Sequence, residues 1–251
     1  MLKLFRKIRQ KLLSENRVNK YLLYAIGEIV LVVIGILIAL QINNWNDKKK
    51  EEALEIKILK EIHSNLGHDL FEIQDDIRVM DSVDLASKSV IHFLKTKDEP
   101  TEDFYNDVAI IKVAPHFDSN KSGYELLISK GVEIVSNDSL RGAISVLYES
   151  AYSYYNKYEE ERIKFKAEQI HPVLLKYYTA HVRPEFLWKS SFYIAPEDYV
   201  QMKKEGEFLR LVNGVNFENY MVHNRAERTK KYIQDLTKFI EEELHNKGVY
   251  Y

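Results

Sequence analysis

The arrangement of hydrophobic and polar residues divides the chain into three stretches. Basic and apolar residues are mixed in 1–20, residues 21–40 are almost wholly apolar, and apolar residues recur every three or four positions from 47 onward. A long apolar run predicts a helix in apolar surroundings, and the three-to-four spacing predicts helices with one apolar face. The chain is therefore predicted to be all-α, with an N-terminal helix unlike the others.

The apolar run reads YLLYAIGEIVLVVIGILIAL, and Glu28 is its single charged residue. A helix of twenty residues is about 30 Å long, the thickness of a bilayer's hydrocarbon core. Its thirteen Leu, Ile and Val residues favour insertion by roughly 4 to 8 kcal/mol, more than the roughly 2.5 to 3.5 kcal/mol that one charge costs. We therefore expect a transmembrane signal-anchor helix over 21–45, longer than the apolar core of a cleaved signal peptide.

Charge is distributed unequally on the two sides of this run. Residues 1–20 contain seven Lys and Arg and one acidic residue, whereas residues 46–251 contain 29 Lys and Arg and 36 Asp and Glu. The positive-inside rule places 1–20 in the cytoplasm and 46–251 on the other side of the membrane. Because the chain has no Cys, we expect the outer domain to be held by packing alone, without disulfides.

Both ends of the predicted span carry residues typical of a membrane interface. Arg6, Lys7 and Lys11 belong to the basic face of an amphipathic pattern before the span, and Trp45 follows the span among asparagines. Such residues lie at the headgroup level of bilayers. Two interpretations of 1–20 are open: a helix that lies on the anionic inner leaflet, or a positive flank that only sets orientation.

One face of the predicted span is polar or small at helical spacing. Because ionisable groups inside membranes usually face a partner and small residues let helices approach closely, we expect a second copy or another membrane protein to pack there. Two alternatives are open: Glu28 bonds locally to Tyr24 or a backbone carbonyl, or it lines a path for ions or protons. The residues of this face are Tyr21, Tyr24, Ala25, Glu28, Val32, Gly35 and Ala39.

Residues 46–251 are predicted to form one elongated helical bundle that continues the span. Asp69 and Asp76 would fall in the seam of a strict heptad, so the apolar stripe of 47–95 favours bundle packing over a coiled coil. Asn213-Gly214 is interpreted as a turn and 192–194 as a short extended piece. Caps at Thr101, Asn137 and Gly248 and breakers at Pro115, Pro172, Pro184 and Pro196 predict helices from about 47 to 95, 101 to 114, 122 to 130 and 139 to 169, one that begins at Pro196, and one from about 217 to 245.

The outer domain carries no recognisable catalytic or metal-binding motif. His63 and His68 are five residues apart, and His68 and Glu72 are four apart on one helix face. Neither pair makes a zinc site alone, because zinc needs three or four converging ligands. The chain has no H-E-x-x-H, no Gly-rich phosphate loop and no G-x-S-x-G elbow. We therefore expect no catalytic residue, no metal site and no cofactor, and the acidic balance of 46–251 argues against nucleic acid as a partner.

Aromatic and acidic runs in the outer domain are assigned structural roles. Tyr148, Tyr152 and Tyr155 recur at helical spacing, which is typical of rings packed in the core of a thin bundle. The acidic runs at 159–162 and 241–243 are interpreted as solvated helix faces. Neither feature therefore predicts a binding site.

The block KYLLYAIGEIVLVVIGILIALQINNWN, from Lys20 to Asn46, resembles the opening of a large family of uncharacterised bacterial single-span membrane proteins, a domain-of-unknown-function group. The Gly-Glu pair inside an apolar run, followed by Q-I-N-N-W-N, is unusual for a generic anchor. A weaker similarity covers 122–148, where G-Y-E-L-L leads to Gly131. The resemblance implies a bacterial inner-membrane protein with a helical periplasmic domain, and it implies no activity.

These observations predict a non-enzymatic envelope protein, either a self-associating scaffold or an accessory subunit that docks through its span in the lipid bilayer. The alternative is a ligand-sensing helical bundle outside the cytoplasm, and a third hypothesis is an oligomer that conducts ions or protons through Glu28. The sequence shows no second apolar run near the C-terminus, whereas helical-bundle sensors commonly return through the membrane. The scaffold or accessory role is therefore preferred.

Overall fold

The computed structural model describes residues 18–182 and 190–250, and the chain divides into two units, Met1–Leu54 and Glu55–Tyr251. The described part of the first unit belongs to a single helix, α1, which spans Val18–Thr96. The large hydrophobic side chains of α1 from Leu22 to Leu40 are between 47% and 73% exposed. By length and composition, this apolar helix could cross a membrane.

The second unit is built mainly of helices, and the all-α expectation is confirmed. The described residues also include a two-stranded antiparallel hairpin, which the all-α prediction did not contain. After α1, the elements in chain order are α2 (Glu102–Ile111), α3 (Ser122–Lys130), a 3₁₀ turn (Val132–Ile134), α4 (Asp138–Ser145), a first π segment (Val146–Ala151), α5 (Tyr152–Phe165), a second π segment (Lys166–Ile170), α6 (His171–Tyr177), β1 (Thr179–Val182), β2 (Ser190–Tyr193), α7 (Pro196–Glu205) and α8 (Glu207–Asn246).

The predicted apolar stripe of α1 forms one side of the core of the second unit. Burial of each such side chain contributes about 1.5 to 3 kcal/mol. Leu70 is half-buried, and the other members of the stripe are buried: Leu59, Ile62, Leu66, Ile73, Ile77, Met80 and Val83. The helical period inferred from the sequence is therefore confirmed over this stretch.

Helix α8 lies antiparallel to the part of α1 in the second unit. His63 Nε2 lies 2.9 Å from Glu241 Oε1, and His223 Nε2 lies 3.0 Å from Asp81 Oδ1. As the residue number rises along α1 it falls along α8, so the two helices run in opposite directions. Buried residues of α8 at 212, 215, 222, 226 and 233 continue the core on that side.

The turn predicted at Asn213-Gly214 is wrong, because α8 runs through it from Glu207 to Asn246. Gly214 serves packing instead: a Cβ atom there would lie 3.1 Å from Cζ of Phe165. Asn213 donates its side-chain amide to the Leu209 carbonyl at 2.9 Å, which keeps it inside the helix. A glycine that accommodates a ring was therefore mistaken for a chain reversal.

The break predicted at Pro172 is also wrong. The helical run continues from Asp138 to Tyr177 through two π segments, and Pro172 lies in the first turn of α6. The N–H of His171 donates five residues back to Lys166, which is the π pattern. Pro172 has no N–H to donate into this run, and it follows directly on the π segment, where the hydrogen-bond register of the helix changes.

Several predicted caps are confirmed. The Thr101 side chain accepts from the Phe104 N–H at 3.4 Å, and α2 begins at Glu102. The Asn137 side chain accepts from the first-turn N–H groups of α4. Pro196 opens α7, and Gly248, with φ of 77°, follows the end of α8. These local signals work because each cap satisfies groups within three residues of it.

The extended piece predicted near Phe192 is part of the hairpin. Strand β2 pairs antiparallel with β1, which places Ala180 opposite Phe192 and Thr179 opposite Tyr193. Strand β1 was not predicted, because four residues are too few to show an alternating pattern. Pro184, predicted as a breaker, lies outside the described residues.

Candidate functional site

The predicted association face lies on α1 as a mixed set of exposed and half-buried residues. Ala25 and Glu28 are half-buried, whereas Tyr24, Val32, Gly35 and Ala39 are exposed. The side chain of Tyr21 is outside what the structure describes, as are the predicted interface residues Arg6, Lys7 and Lys11.

Part of this face forms an open depression of about 350 Å³ beside Glu28. Its walls are Leu23, Tyr24, Glu28 and Leu31, and Gly27 provides its floor. A Cβ atom at Gly27 would meet nothing within 4 Å, so a larger residue there would simply fill the depression. Tyr24 and Glu28 were predicted for this face and Gly27 was not, although the Gly-Glu pair was the signal.

The predicted interface residue Trp45 is 59% exposed on α1. Lys49 places its Nζ 4.1 Å from the centre of the Trp45 ring, which is cation–π geometry. Lys50 also forms an exposed pair with Asp47 at 3.2 Å. An aromatic ring with cations beside it is suited to a headgroup region.

Six Asp, Glu, Lys and Arg side chains are almost fully buried in the described part of the second unit; Glu55 binds Ser136 and Lys247, and the other five lie together. Each is at most 8% exposed, which is rare for charged residues unless they are paired. They surround the segment 112–121, which joins α2 to α3. We call these five the buried charge cluster: Asp69, Asp76, Glu159, Arg162 and Lys166.

Glu159 and Arg162 hold the middle of that segment. The Phe117 N–H donates to both Glu159 carboxylate oxygens at 3.2 and 3.3 Å. Arg162 Nη2 donates to the Pro115 carbonyl and lies 3.6 Å from Glu159 Oε1. Burial raises the pKa of Glu159 to about 7, against the lowering effects of the neighbouring Tyr155 hydroxyl, of the Phe117 N–H that donates to it, and of the nearby Arg162 charge.

Lys166 holds the start of the segment. Its ammonium donates to the carbonyls of Ile111 and Val113, at the point where α2 ends. The helix therefore stops at Ile111 and does not extend to Pro115 as predicted. Burial, and secondarily the Arg162 charge, lowers the pKa of Lys166 to about 7.

A stripe of polar residues on α1 holds the end of the segment. Asp69 accepts from the Asn120 N–H at 2.8 Å and from the Tyr152 hydroxyl at 2.5 Å. Asn65 accepts from the Gly123 N–H at 2.9 Å. Because these acceptors are four residues apart, they lie on one face of α1, where they bind the N–H of Asn120 in the segment and of Gly123 in the first turn of α3.

Asp69 and Asp76 are both shifted toward the neutral form. Burial raises the pKa of Asp69 despite its two hydrogen bonds. Burial, and then the Glu72 charge, raises the pKa of Asp76 to about 6, while Arg162 opposes the shift. Among the described residues, the Asp76 Oδ2 atom has no hydrogen-bond partner. The cluster thus contains carboxylates that titrate near neutral pH.

Perturbed pKa values mark catalytic sites in many proteins, but buried ion networks produce them too. Here backbone groups of 111–120 bind Asp69 Oδ1, both Glu159 carboxylate oxygens, Arg162 Nη2 and Lys166 Nζ. A general acid or base must reach a substrate proton directly or through one water. The geometry therefore supports a role in fixing the loop between α2 and α3.

The solvated face predicted at 159–162 is wrong for two of its residues, since Glu159 and Arg162 are fully buried. The placement of Asp69 and Asp76 in the α1 stripe could have indicated a cation such as Arg162 on a facing helix, but it gives no signal for Glu159, which is acidic like the two aspartates. The core role predicted for Tyr148, Tyr152 and Tyr155 is confirmed, as all three are at most 4% exposed.

Histidines and acidic residues elsewhere form pairs. His63 bonds to Glu241, and Glu243 accepts from the Asn137 side-chain amide at 2.8 Å, so part of the run 241–243 binds inside the fold. Within 18–182 and 190–250, no three His, Asp or Glu residues are placed to hold a metal ion.

Comparison with known proteins gives one match. Residues 28–184, more than half of the chain, match DUF6090, a family of unknown function. The matched range includes Glu28 and the whole buried charge cluster, whereas α8 lies outside it. No curated protein and no solved structure matches the chain. The chain belongs to the DUF6090 family.

Proposed function

We propose that this protein is a membrane-anchored, non-enzymatic envelope component that associates with another helix through its span. The observation that carries the proposal is the apolar stretch of α1, whose large side chains from Leu22 to Leu40 are all exposed. Exposed apolar surface of this extent marks a membrane or a protein interface. Its length matches a bilayer's hydrocarbon core.

The association surface in this proposal centres on Glu28. An ionisable group within a span usually faces a partner or water, and the Gly27 depression beside it lets a second helix approach closely. Gly35 and Ala39 extend the small face toward the other end of the span. A second copy of this chain, or another membrane protein, would pack there as scaffold or accessory subunit.

A double substitution tests association. Tagged and untagged full-length chains are co-expressed and co-purified in mild detergent, as wild type and as Glu28→Leu with Gly35→Leu. We expect the double variant to lose most of the co-purified untagged chain or partner, because the polar contact and the close approach are both removed. The matched control, Val30→Leu with Leu37→Ile, alters the opposite face at the same spacing. Equal co-purification of both variants and wild type would contradict the proposal.

The orientation in this proposal follows from the charges that flank the span. Residues 1–20 lie in the cytoplasm of a bacterial cell and 46–251 in the periplasm, because basic residues predominate on the first side. Protease added to intact spheroplasts is expected to digest the C-terminal domain and leave a protected N-terminal fragment. If the whole domain survives the protease, the proposed orientation is wrong. If the chain is recovered in the soluble fraction without detergent, the proposal that it is anchored in a membrane is wrong.

A further inference from the structure

A groove lies in the second unit between the first π segment and α8. It encloses about 310 Å³, the lower end of the range for small-molecule pockets. One wall consists of Val146, Ser150, Ala151 and Tyr154, and the other of α8 residues between Arg225 and Tyr232. These residues therefore form a recess large enough to hold a small molecule.

The first π segment shapes one wall of this groove. The N–H of Tyr152 donates five residues back to Leu147, which widens the helix locally. Single π turns inside α-helices occur frequently at functional sites. Three wall residues, Val146, Ser150 and Ala151, belong to this segment.

Two arginines give the groove a positive charge in a domain that is acidic overall. Neither Arg225 nor Arg228 has a carboxylate within ion-pair distance among residues 18–182 and 190–250. Glu227, which lies between them in position, pairs with Lys230 at 2.5 Å. Arg225 Nη1 donates to the Met221 carbonyl at 2.5 Å, but the charge of neither arginine is neutralised by a carboxylate of the described residues, and such arginines in a recess are suited to carboxylate, sulfonate or phosphate groups.

The groove also presents aromatic and apolar surface. Tyr154 and Val146 are each 48% exposed, and Tyr232 is 37% exposed. The Arg225 Cζ atom lies 3.4 Å from the centre of the Tyr158 ring, a cation–π contact that holds the guanidinium beside the groove. The groove thus combines a pre-positioned cation with flat apolar walls.

We propose that this groove binds a small organic anion with a flat apolar body. The anionic group would contact Arg228 and Arg225, and the apolar body would lie against Tyr154, Val146 and Tyr232. The proposal does not depend on the membrane association proposed above, since every residue that carries it belongs to the second unit.

A matched pair of probes tests the charge requirement. The full-length chain in phosphatidylcholine nanodiscs is titrated calorimetrically with 2-naphthoate and with neutral 2-naphthamide, and empty nanodiscs provide the background. We expect naphthoate to bind about tenfold more tightly, because charge-assisted hydrogen bonds to arginine are about twice as strong as neutral ones. Equal affinity for the two probes, or no binding of naphthoate above background, would overturn the proposal.

A matched pair of variants tests the location. Arg228 is exposed, so Arg228→Gln should fold normally and weaken naphthoate binding about tenfold while leaving naphthamide unchanged. Arg210→Gln makes the same charge change on the exposed surface of α8, about 27 Å away along the helix. It should leave both affinities within about twofold of wild type. Unchanged naphthoate binding by Arg228→Gln, or an equal loss in both variants, would place the anion elsewhere and overturn the proposal.

Discussion

The apolar stretch of α1 and the buried charge cluster place ionisable groups in apolar surroundings by opposite means. Residues 21–40 contain one charged side chain, Glu28, and no Lys or Arg. The cluster contains three carboxylates, an arginine and a lysine, all at most 8% exposed. The cluster supplies its own countercharges, whereas any countercharge for Glu28 must come from outside 21–40.

The apolar stretch exposes its side chains to its surroundings, whereas the cluster binds its charges to groups of the same chain. In the cluster, charge is bound to backbone groups of one loop, so it specifies where that loop lies. Buried ion pairs add little net stability over apolar packing, but removing one partner is costly. The apolar stretch has large exposed side chains instead, so its energetics depend on its surroundings, which we propose to be lipid and a partner helix.

The largest expected effect comes from removing the cluster's central cation. Arg162→Met leaves the Glu159 and Asp76 carboxylates buried without their arginine and frees the Pro115 carbonyl. We expect a loss of about 3 to 5 kcal/mol in the free energy of unfolding. The measurement is urea unfolding of the full chain in detergent, followed by near-UV circular dichroism of the packed tyrosines.

Arg78 provides the control for that substitution. It pairs with Asp75 at 2.7 Å, but its side chain is 67% exposed, so Arg78→Met should cost at most about 1 kcal/mol. Equal losses in Arg162→Met and Arg78→Met would mean that the cluster behaves like surface charge, and the contrast between the two regions would fail.

A smaller loss is expected where α3 meets α1. A Cβ atom at Gly123 would lie 2.7 Å from the backbone nitrogen of Ile62 and 3.0 Å from the Asn65 side chain that binds the Gly123 N–H. Gly123→Ala should therefore destabilise the domain by about 1 to 3 kcal/mol. Gly142→Ala, in the exposed part of α4 with nothing within 4 Å, should stabilise it by about 0.5 to 1 kcal/mol. A stabilising Gly123→Ala would show that the helices can separate freely.

The features that the sequence predicted correctly are those whose causes are local. The apolar run, the stripe from Leu59 to Val83, and the caps at Thr101 and Asn137 each depend on residues within a few turns. The cluster depends on distant partners, since Phe117 and Glu159 are 42 residues apart. A charge in a helical pattern looks the same whether it faces water or a loop that arrives from elsewhere, so Glu159 and Arg162 were misplaced.

The groove and the depression beside Glu28 were missed for a different reason. The groove follows from the π segment at 146–151, and propensity and periodicity do not distinguish a π turn from an α turn. Gly27 lines the depression, but it was not among the residues at helical spacing from which the association face was predicted. Both features depend on backbone shape, which a pattern of residue types describes poorly.

The free energy of unfolding should depend on pH because the pKa of Glu159 is raised in the folded chain. Its folded-state pKa of about 7 lies above the ordinary 4.5, so the folded chain binds this proton more tightly than the unfolded chain. Stability should therefore fall as the pH rises from about 5 to 7. Four other residues also act on or near Glu159: His116, Arg162, Asp76 and Tyr155. A variant at Glu159 is therefore compared with wild type at each pH.

Glu159→Gln isolates this contribution because an amide oxygen can still accept from the Phe117 N–H. Urea midpoints measured at pH 5, 6 and 7 should fall less in the variant than in wild type. Parallel curves would show that Glu159 keeps its charge throughout this range and that burial does not govern its titration.

The smallest effect is expected on the first unit, where charge is exposed. Asp47 accepts from Asn43 at 3.0 Å and pairs with Lys50 at 3.2 Å, but the pair's side chains are 52% and 69% exposed. Asp47→Asn should therefore change the free energy of unfolding by less than about 0.5 kcal/mol, measured by the same urea titration. A loss comparable to that of Arg162→Met would mean that charged side chains near the apolar stretch contribute as much to stability as those in the buried charge cluster. The distinction between an outward-facing helix and a self-contained domain would then have to be abandoned.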